Sequence, residues 1–346
     1  MKNFIKSLTR RQKIGAVVAI MGIFLFFAGT LIHNNTVAGL YDQNGAKRWS
    51  SEGEYTQLSC FFPVGNQPDE YFFLSVGHTL EEKLKEASIE AEGDARVYVD
   101  AYSVTGKLTI DSEYGTIDLQ TVGVTDDFFL FHPVNLIGGA YFNDDMLMKD
   151  GILIDEDAAW RLYGSNDVVG MTVTINAIPF YIRGVVDREE GRFAEAAGLD
   201  ASLCYVSLET LQKHGIINGS YTYEIIMPNP VEGFALKHLK EAVNADEENC
   251  VVLENSTRFS IGKLWAVFQD GGIRSMSRHG IVFPYWENIA RANEDVLAGV
   301  CVFRLFGLIV CISLLLFYGY GKWKNRTWTF KSIIKKIKGR IKNEQI

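Results

Sequence analysis

Histidine and cysteine, on which most metal sites and much nucleophilic catalysis rest, are scarce in this chain: six and five in 346 residues. The histidines (His33, His78, His132, His214, His238 and His279) are scattered without a His-Glu-x-x-His spacing, so they read as isolated surface or half-buried side chains. Gly-x-Ser-x-Gly, Ser-x-x-Lys with its companion motifs, and Cys-x-x-Cys are all missing. The acidic clusters Asp144-Asp145 and Asp155-Glu156-Asp157 lack the alternating spacing of a calcium loop and read as solvated faces and helix N-terminal charge. A phosphate-binding Gly-x-x-x-x-Gly-Lys-Ser/Thr is also absent, which removes that route to ATP hydrolysis. An enzyme is therefore not expected, and neither is a cofactor or a metal.

Long apolar runs are what the chain does have. Residues 14–32 are nineteen positions without a charge, enough to cross a bilayer as a helix, and residues 305–321 form a second run that 296–303 extend upstream. The first span is predicted over 14–33 and the second over 296–321. Five basic residues and no acid precede the first; nine basic residues and one acid follow the second. By the positive-inside rule both termini are cytoplasmic and the protein crosses the cell membrane twice. Between the flanks, positions 14–321 hold 20 basic and 41 acidic residues, a net charge of −21 that the overall −8 conceals. So acidic a body argues against nucleic acid or anionic lipid as its ligand. The first run is longer than a signal-peptide core, and Thr36-Val37-Ala38 is a poor cleavage match, so a retained anchor is expected. Arg304 is placed at the outer interface, snorkelling.

Periodicity organises the intervening segment. Strands are expected at 57–63, 96–102, 221–227 and 250–253, and helices at 79–91, with Thr79 and Glu82 as a capping box, and at 231–245. This β-α-β, insertion, β-α-β order is the split pattern of a ferredoxin-like layer. The expected fold is an α+β extracytoplasmic domain: a porter-like part (34–110 and 221–255), an inserted β-rich part (111–220) and a helical stalk (256–295) leading to the second span. Residues 1–13 form an amphipathic cytoplasmic N-terminus and 322–346 a basic cytoplasmic tail. Within the insertion, 158–163 read as a helix ending at Gly164, followed by a hairpin of 171–175 and 180–186 around Asn176-Ala177.

The run LIDEDAAWRLYGSNDVVGMTVTINAIPFYIRGVV resembles the extracytoplasmic domain of MacB-type and FtsX-like ABC transporter permeases. The resemblance is carried by Ala158-Ala159, Tyr163-Gly164, Val169-Gly170 and Ile182-Arg183-Gly184-Val185, with Gly139, Phe142 and Asp145 matching an upstream Gly-x-x-Phe turn. It implies a two-part domain, a porter-like layer split in sequence with a β-rich lobe inserted in it. It also implies a part in ATP-driven mechanical work outside the membrane. Family permeases usually carry four membrane helices, whereas two are expected here. The expected role is thus a non-catalytic subunit that pairs with a four-helix FtsX-like permease and a separate cytoplasmic ATPase. A stand-alone membrane-anchored binding or sensor domain is the alternative.

Three further features accompany this reading. In a ferredoxin-like order the first and fourth strands are antiparallel neighbours, which makes Cys60 and Cys250 a candidate disulfide; three buried free thiols are the other outcome. Residues 332–342 place Ile333, Ile337 and Ile341 among five basic residues, and 3–13 has a similar character. These pieces serve either as topology-setting charge on anionic lipid or as a contact for an ATPase. Gly15, Gly22 and Gly29, seven apart, make a small-residue stripe on the first span, suited to packing against another helix.

Overall fold

The computed structural model describes residues 9–325 apart from 51–53, 67, 91–95, 126, 143–148, 247–248, 272–276 and 279. Asp144, Asp145, His279, the basic segment 332–342 and the start of the N-terminal amphipathic stretch lie outside the described residues. Two compact units separate: Met1–Asn35 with Gly299–Ile346, and Thr36–Ala298.

In the first unit, two helices long and apolar enough to cross a membrane come together, α1 (Arg10–Gly39) and the part of α9 (Tyr285–Lys324) from Gly299 onward. Their backbones meet at glycine. A Cβ on Gly22 would lie 2.9 Å from the Gly307 carbonyl oxygen, and one on Gly307 only 2.6 Å from that of Gly22. One turn pair further, the aliphatic stem of Arg304 occupies the space a Cβ on Gly29 would need, 2.5 Å from its Cγ. The guanidinium sits 5.9 Å from the centre of the Phe26 ring. Gly22 and Gly29 of the stripe thus receive the chain's own second helix, while Gly15 faces open space.

The second unit is built on one sheet of ten strands, in the order β10-β1-β9-β2-β3-β8-β5-β7-β4, with β6 pairing β2 and β7. Its first four strands are β10 (Val251–Glu254), β1 (Tyr55–Phe61), β9 (Ile216–Pro228) and β2 (Val99–Ser112), every neighbour antiparallel. Numbered by appearance this is 4-1-3-2, the ferredoxin-like order. The sheet then continues through β3 (Gly115–Val124), β8 (Leu203–Ser207), β5 (Gly151–Asp155), β7 (Ile178–Val186) and β4 (Leu136–Gly139). Strands β2 and β9 run through positions 110–111 and 220–221, so the porter-like and inserted parts share one hydrogen-bonded ladder.

Helices α3 (Glu70–Glu86) and α7 (Phe234–Ala242) pack on each other and cover one face of the first four strands. Phe73, Val76, Leu80 and Leu84 form the buried stripe of α3, at the spacing an amphipathic helix requires. Because that stripe is continuous, the helix starts nine residues before the expected 79. Asp69 caps it by accepting from the Phe72 amide at 2.8 Å, and Thr79 lies mid-helix, its hydroxyl donating to the Ser75 carbonyl. Two apolar stretches on either side of Ser75 and Thr79 are one helix face, which local capping rules do not see.

The opposite face is covered by segments from the two ends of the domain. After α1 come a 3₁₀ turn (Tyr41–Gln43) and α2 (Gly45–Trp49); after β3 comes the short α4 (Phe128–Phe131). Following β10 the chain forms α8 (Ile261–Gln269), a ribbon of β11 (Ser277–Arg278) and β12 (Ile281–Val282), and then α9. Ala46, Val99, Ala101, Phe128, Tyr205, Ile226, Tyr285 and Trp286 belong to this second core.

In the inserted part, α5 (Glu156–Tyr163) starts at Asp155, which accepts from the Ala158 amide, and stops at Gly164 with a left-handed φ of +66°. β6 (Thr172–Ile175) and β7 then form the expected hairpin, with Asn176 and Ala177 at φ of +50° and +64°, the pattern of a type I′ turn. Gly139, at φ +85°, lies opposite Gly184 in the β4–β7 ladder, where a Cβ would sit 2.1 Å from the Arg183 carbonyl oxygen. Gly139→Ala is expected to destabilise the protein by more than about 2 kcal/mol, from left-handed strain plus that clash. Ala177→Gly should stabilise it by about 1 kcal/mol, since glycine is at ease in the same turn. Thermal unfolding of the detergent-solubilised chain checks both signs.

Candidate functional site

The strand sequence Gln57-Leu-Ser-Cys60 alternates polar and apolar residues, as a strand with one wet face does, yet both faces of β1 are buried. Leu58 and Cys60 point into the core under α3 and α7; Gln57 and Ser59 point to the other face, and each finds partners there. The Gln57 side chain accepts from the Gly45 amide at 2.8 Å and donates to the Asp42 carbonyl at 2.7 Å, which holds the incoming 3₁₀ turn against the sheet. Ser59 lies opposite Glu224 of β9 and donates to its carboxylate at 2.7 Å. Glu224 is the one charged residue of β9 and is almost fully buried.

Its partner is His132, at the end of α4. One ring nitrogen of His132 hydrogen-bonds the second oxygen of Glu224, and the other hydrogen-bonds Asp42 at 2.9 Å. The ring is wedged between Phe128 and Trp286, with centroids at 4.6 and 4.3 Å. Burial alone pulls the imidazole pKa down, but the two carboxylates outweigh it and raise the value to about 9. The buried ring is therefore an imidazolium at neutral pH, both nitrogens donating.

A second charge cluster adjoins the first. Ser59 accepts from the Asn255 side chain at 2.7 Å, and Asn255 lies at 3.4 Å from Arg258. Arg258 is buried and donates to three residues besides Asn255: two bonds to Glu287 at 2.7 and 3.0 Å, one to Glu294 at 2.8 Å and one to Gln43 at 2.9 Å. Burial disfavours its charge, and Glu287 and Glu294 more than restore it, so its pKa lies above the ordinary arginine value. Glu287 and Glu294 sit seven apart on α9, two turns of one helix face.

The resulting chain of polar groups joins every segment at this face. It holds Asp42 and Gln43 of the incoming turn, Gln57 and Ser59 of β1, Glu224 of β9, Asn255 and Arg258 beyond β10, and Glu287 and Glu294 of α9. The inserted part is tied in too, through Tyr205 of β8, whose hydroxyl meets that of Tyr285 at 2.9 Å. Chemically the arrangement is a network of hydrogen bonds and ion pairs inside the domain, and Arg258, Glu287 and Glu294 also line a cavity of about 280 Å³ together with Lys263 and Asp270. Among the described residues no group of three His, Cys, Asp or Glu side chains is placed to hold a metal.

The residues singled out in the sequence lie elsewhere. Gly139 and Gly184 meet in the β4–β7 ladder, Gly164 caps α5, and Gly170, at φ +85°, donates its amide to Ile182 at 2.8 Å. Phe142 packs edge-on against Phe129 at 5.7 Å. All five shape the inserted part and none enters the charge network. Cys60 and Cys250 do come together, as free thiols, on the α3–α7 side. His132 is the departure from the scattered, half-exposed histidines expected: it is fully buried because two carboxylates from distant segments meet there. The legible signals were the single acid Glu224 in β9 and the Gln-x-Ser alternation of β1; the partners of Glu224 and Ser59 lie 92 to 196 positions away, those of the Gln57 side chain 12 and 15.

The model of the family described as "MacB-like periplasmic core domain" matches residues 14–246. A macrolide export ATP-binding/permease protein MacB of Pasteurella multocida is 35% identical over 74 residues, 21% of this chain and 11% of that protein. Its counterpart in Chromobacterium violaceum is 25% identical over 111 residues, 31% of this chain and 17% of that protein. The chain thus spans under a fifth of the curated relatives it matches. Among solved structures, the periplasmic region of MacB from Actinobacillus actinomycetemcomitans aligns over 58% of this chain and 90% of its own, at 16% identity and a TM-score of 0.41. The extracellular domain of the ABC-type transporter YknZ from Gram-positive bacteria covers 57% and 99%, at 14% identity and a TM-score of 0.38.

Two outcomes test the network. Because the folded-state pKa of His132 is raised from 6.5 to about 9, its stabilisation is complete below the unfolded value and is lost as pH rises through the folded one. The melting temperature of the intact chain should fall between pH 6.5 and about 9, and His132→Gln should flatten that slope. Arg258→Met strands two buried carboxylates and should cost about 3–5 kcal/mol. Adding Glu287→Leu and Glu294→Leu should recover much of the loss, as measured by denaturant unfolding.

Proposed function

The chain belongs to the MacB-like periplasmic core domain family, and from that premise we propose that it is a non-catalytic membrane subunit of an ABC-transporter-type system. Its part is to supply the extracytoplasmic domain of that system. Both termini lie in the cytoplasm, and the acidic domain lies outside. The observation that carries the reading is the base network, which bonds the incoming turn (Asp42, Gln43) and the outgoing helix (Glu287, Glu294) to one sheet. Those bonds hold the first and last segments of the domain to the same sheet.

Such a domain needs something in the membrane to drive it. In this reading the driving ATPase is a separate cytoplasmic protein, joined to this chain through a four-helix FtsX-like permease. The basic segment 332–342 is the docking element in this scheme. The relatives named macrolide export proteins supply the transport context; the cargo of this chain is not carried over from them.

Gentle solubilisation at native expression should recover this chain with an FtsX-like permease and an ATPase. Removing residues 331–346 should leave membrane insertion intact and lower ATPase recovery. Isolation only as a monomer, together with unchanged transporter ATPase activity on deletion of the gene, would overturn the proposal in favour of a stand-alone sensor domain.

A further inference from the structure

The pairing of β1 with β10 sets two thiols side by side. Cys60 lies opposite Val252 in the antiparallel ladder, and Cys250, two positions before Val252, has the same face parity. Both side chains enter the apolar core beneath α3 and α7. Cys60 is fully buried, and Cys250 is 4% exposed at the rim, diagonal to Cys60 across the ladder. The third cysteine of the domain, Cys204, is buried on β8 with Thr121 as its hydrogen-bond partner at 3.2 Å and no thiol beside it. Cys301 and Cys311 belong to α9.

We propose that Cys60 and Cys250 are a modification site, a dithiol that closes to a disulfide by exchange with an external disulfide oxidant. That the oxidant reaches it in the cell rests on the extracytoplasmic placement proposed above. The chemistry of the exchange assigns the two roles. Cys250 stands at the rim while Cys60 is fully buried, and the neighbouring Cys60 thiol lowers the pKa of Cys250 against the opposing effect of burial, so Cys250 is the attacking thiolate. Its sulfur attacks one sulfur of the oxidant, forming a mixed disulfide and expelling the other sulfur as a thiolate. Cys60 then gives up its proton and its sulfur attacks that of Cys250, forming the Cys60–Cys250 bond and releasing the second thiolate. Two thiols lose two electrons and two protons, and the oxidant's disulfide becomes two thiols.

Closure fastens the edge strand of the sheet to its neighbour. β10 has four residues and pairs with β1 alone among the strands, and the chain leaves it directly into Asn255 and Arg258. The bridge lies at one end of this short strand and the charge network at the other. Oxidation therefore removes the freedom of β10 to peel from β1 and so stiffens the wall from which Arg258 reaches α9.

The test uses the purified full-length chain in detergent, equilibrated with oxidised or reduced glutathione, denatured under acid quench and alkylated. The oxidised chain should take three alkyl groups where the reduced chain takes five, and digestion should yield a Cys60–Cys250 linked peptide. It should also melt roughly 5–10 °C higher. Cys60→Ser and Cys250→Ser should each abolish the linked peptide, while Cys204→Ser should keep it. Five labels in oxidised glutathione, or a linked peptide containing Cys204, would overturn the proposal. Protease shaving of intact cells reads the placement separately. A domain cleaved from outside whose Cys60 stays alkylatable sinks the bridge and leaves the topology standing, whereas a protected domain that bridges in glutathione sinks only the topology.

Discussion

A buried imidazolium between two carboxylates, next to a buried guanidinium between two more, is the constraint around which the base of this domain is built. Taking such charges out of water is costly, and an ion pair in the interior repays that cost only when its remaining hydrogen-bonding positions are filled. Here Ser59, Asn255 and Gln43 supply them, while the rings of Phe128 and Trp286 lie tilted against the imidazole. Each partner comes from a different segment, so the cluster is satisfied only when all of those segments are in place together. An apolar core tolerates small slips between packed elements, whereas a network of charge-assisted hydrogen bonds has one geometry and defends it.

That difference suits the two faces of the sheet to different tasks. Under α3 and α7 the core is aliphatic and aromatic, with Leu80, Leu84, Ile225 and the stacked rings of Phe73, Tyr102 and Tyr223. It supplies most of the apolar burial that a domain of this size needs. The other face gathers the segments that continue into α1 and α9, and there the sheet offers polar handles. Glycine serves the opposite purpose in the apolar helices, where Gly22 and Gly307 let two backbones touch without side chains between them.

The inserted part extends the same sheet, which has a mechanical consequence. A lobe joined through a flexible linker would decouple from its base. Strands β2 and β9 instead continue without a break across both boundaries, and Tyr205 of β8 bonds Tyr285 of α9 directly. The motif glycines, Gly139, Gly164, Gly170 and Gly184, permit the tight turns and close strand approach that let the insertion stay thin and continuous with the ladder.

The sequence alone was enough for whatever depends on neighbours along the chain. The apolar runs marked the two long helices, the i+3/i+4 stripes and period-2 alternation placed the strands and helices of a split β-α-β layer, and Asn176-Ala177 marked a hairpin. The lineage was legible in 137–186, where turn glycines at fixed offsets carry the motif. Even the nearness of Cys60 and Cys250 followed, because a ferredoxin-like order makes their strands antiparallel neighbours. Tertiary structure decided the rest. The start of α3 moved to Asp69 because packing of one continuous stripe outweighs a local capping signal at Thr79. The two glycines of the first helix turned out to serve its own companion helix. Above all, nothing local distinguishes His132 from the five other histidines, or Arg258 from any surface arginine. A buried charge is defined by partners that arrive from 29 to 215 positions away, and only the folded chain brings them within a bond's length.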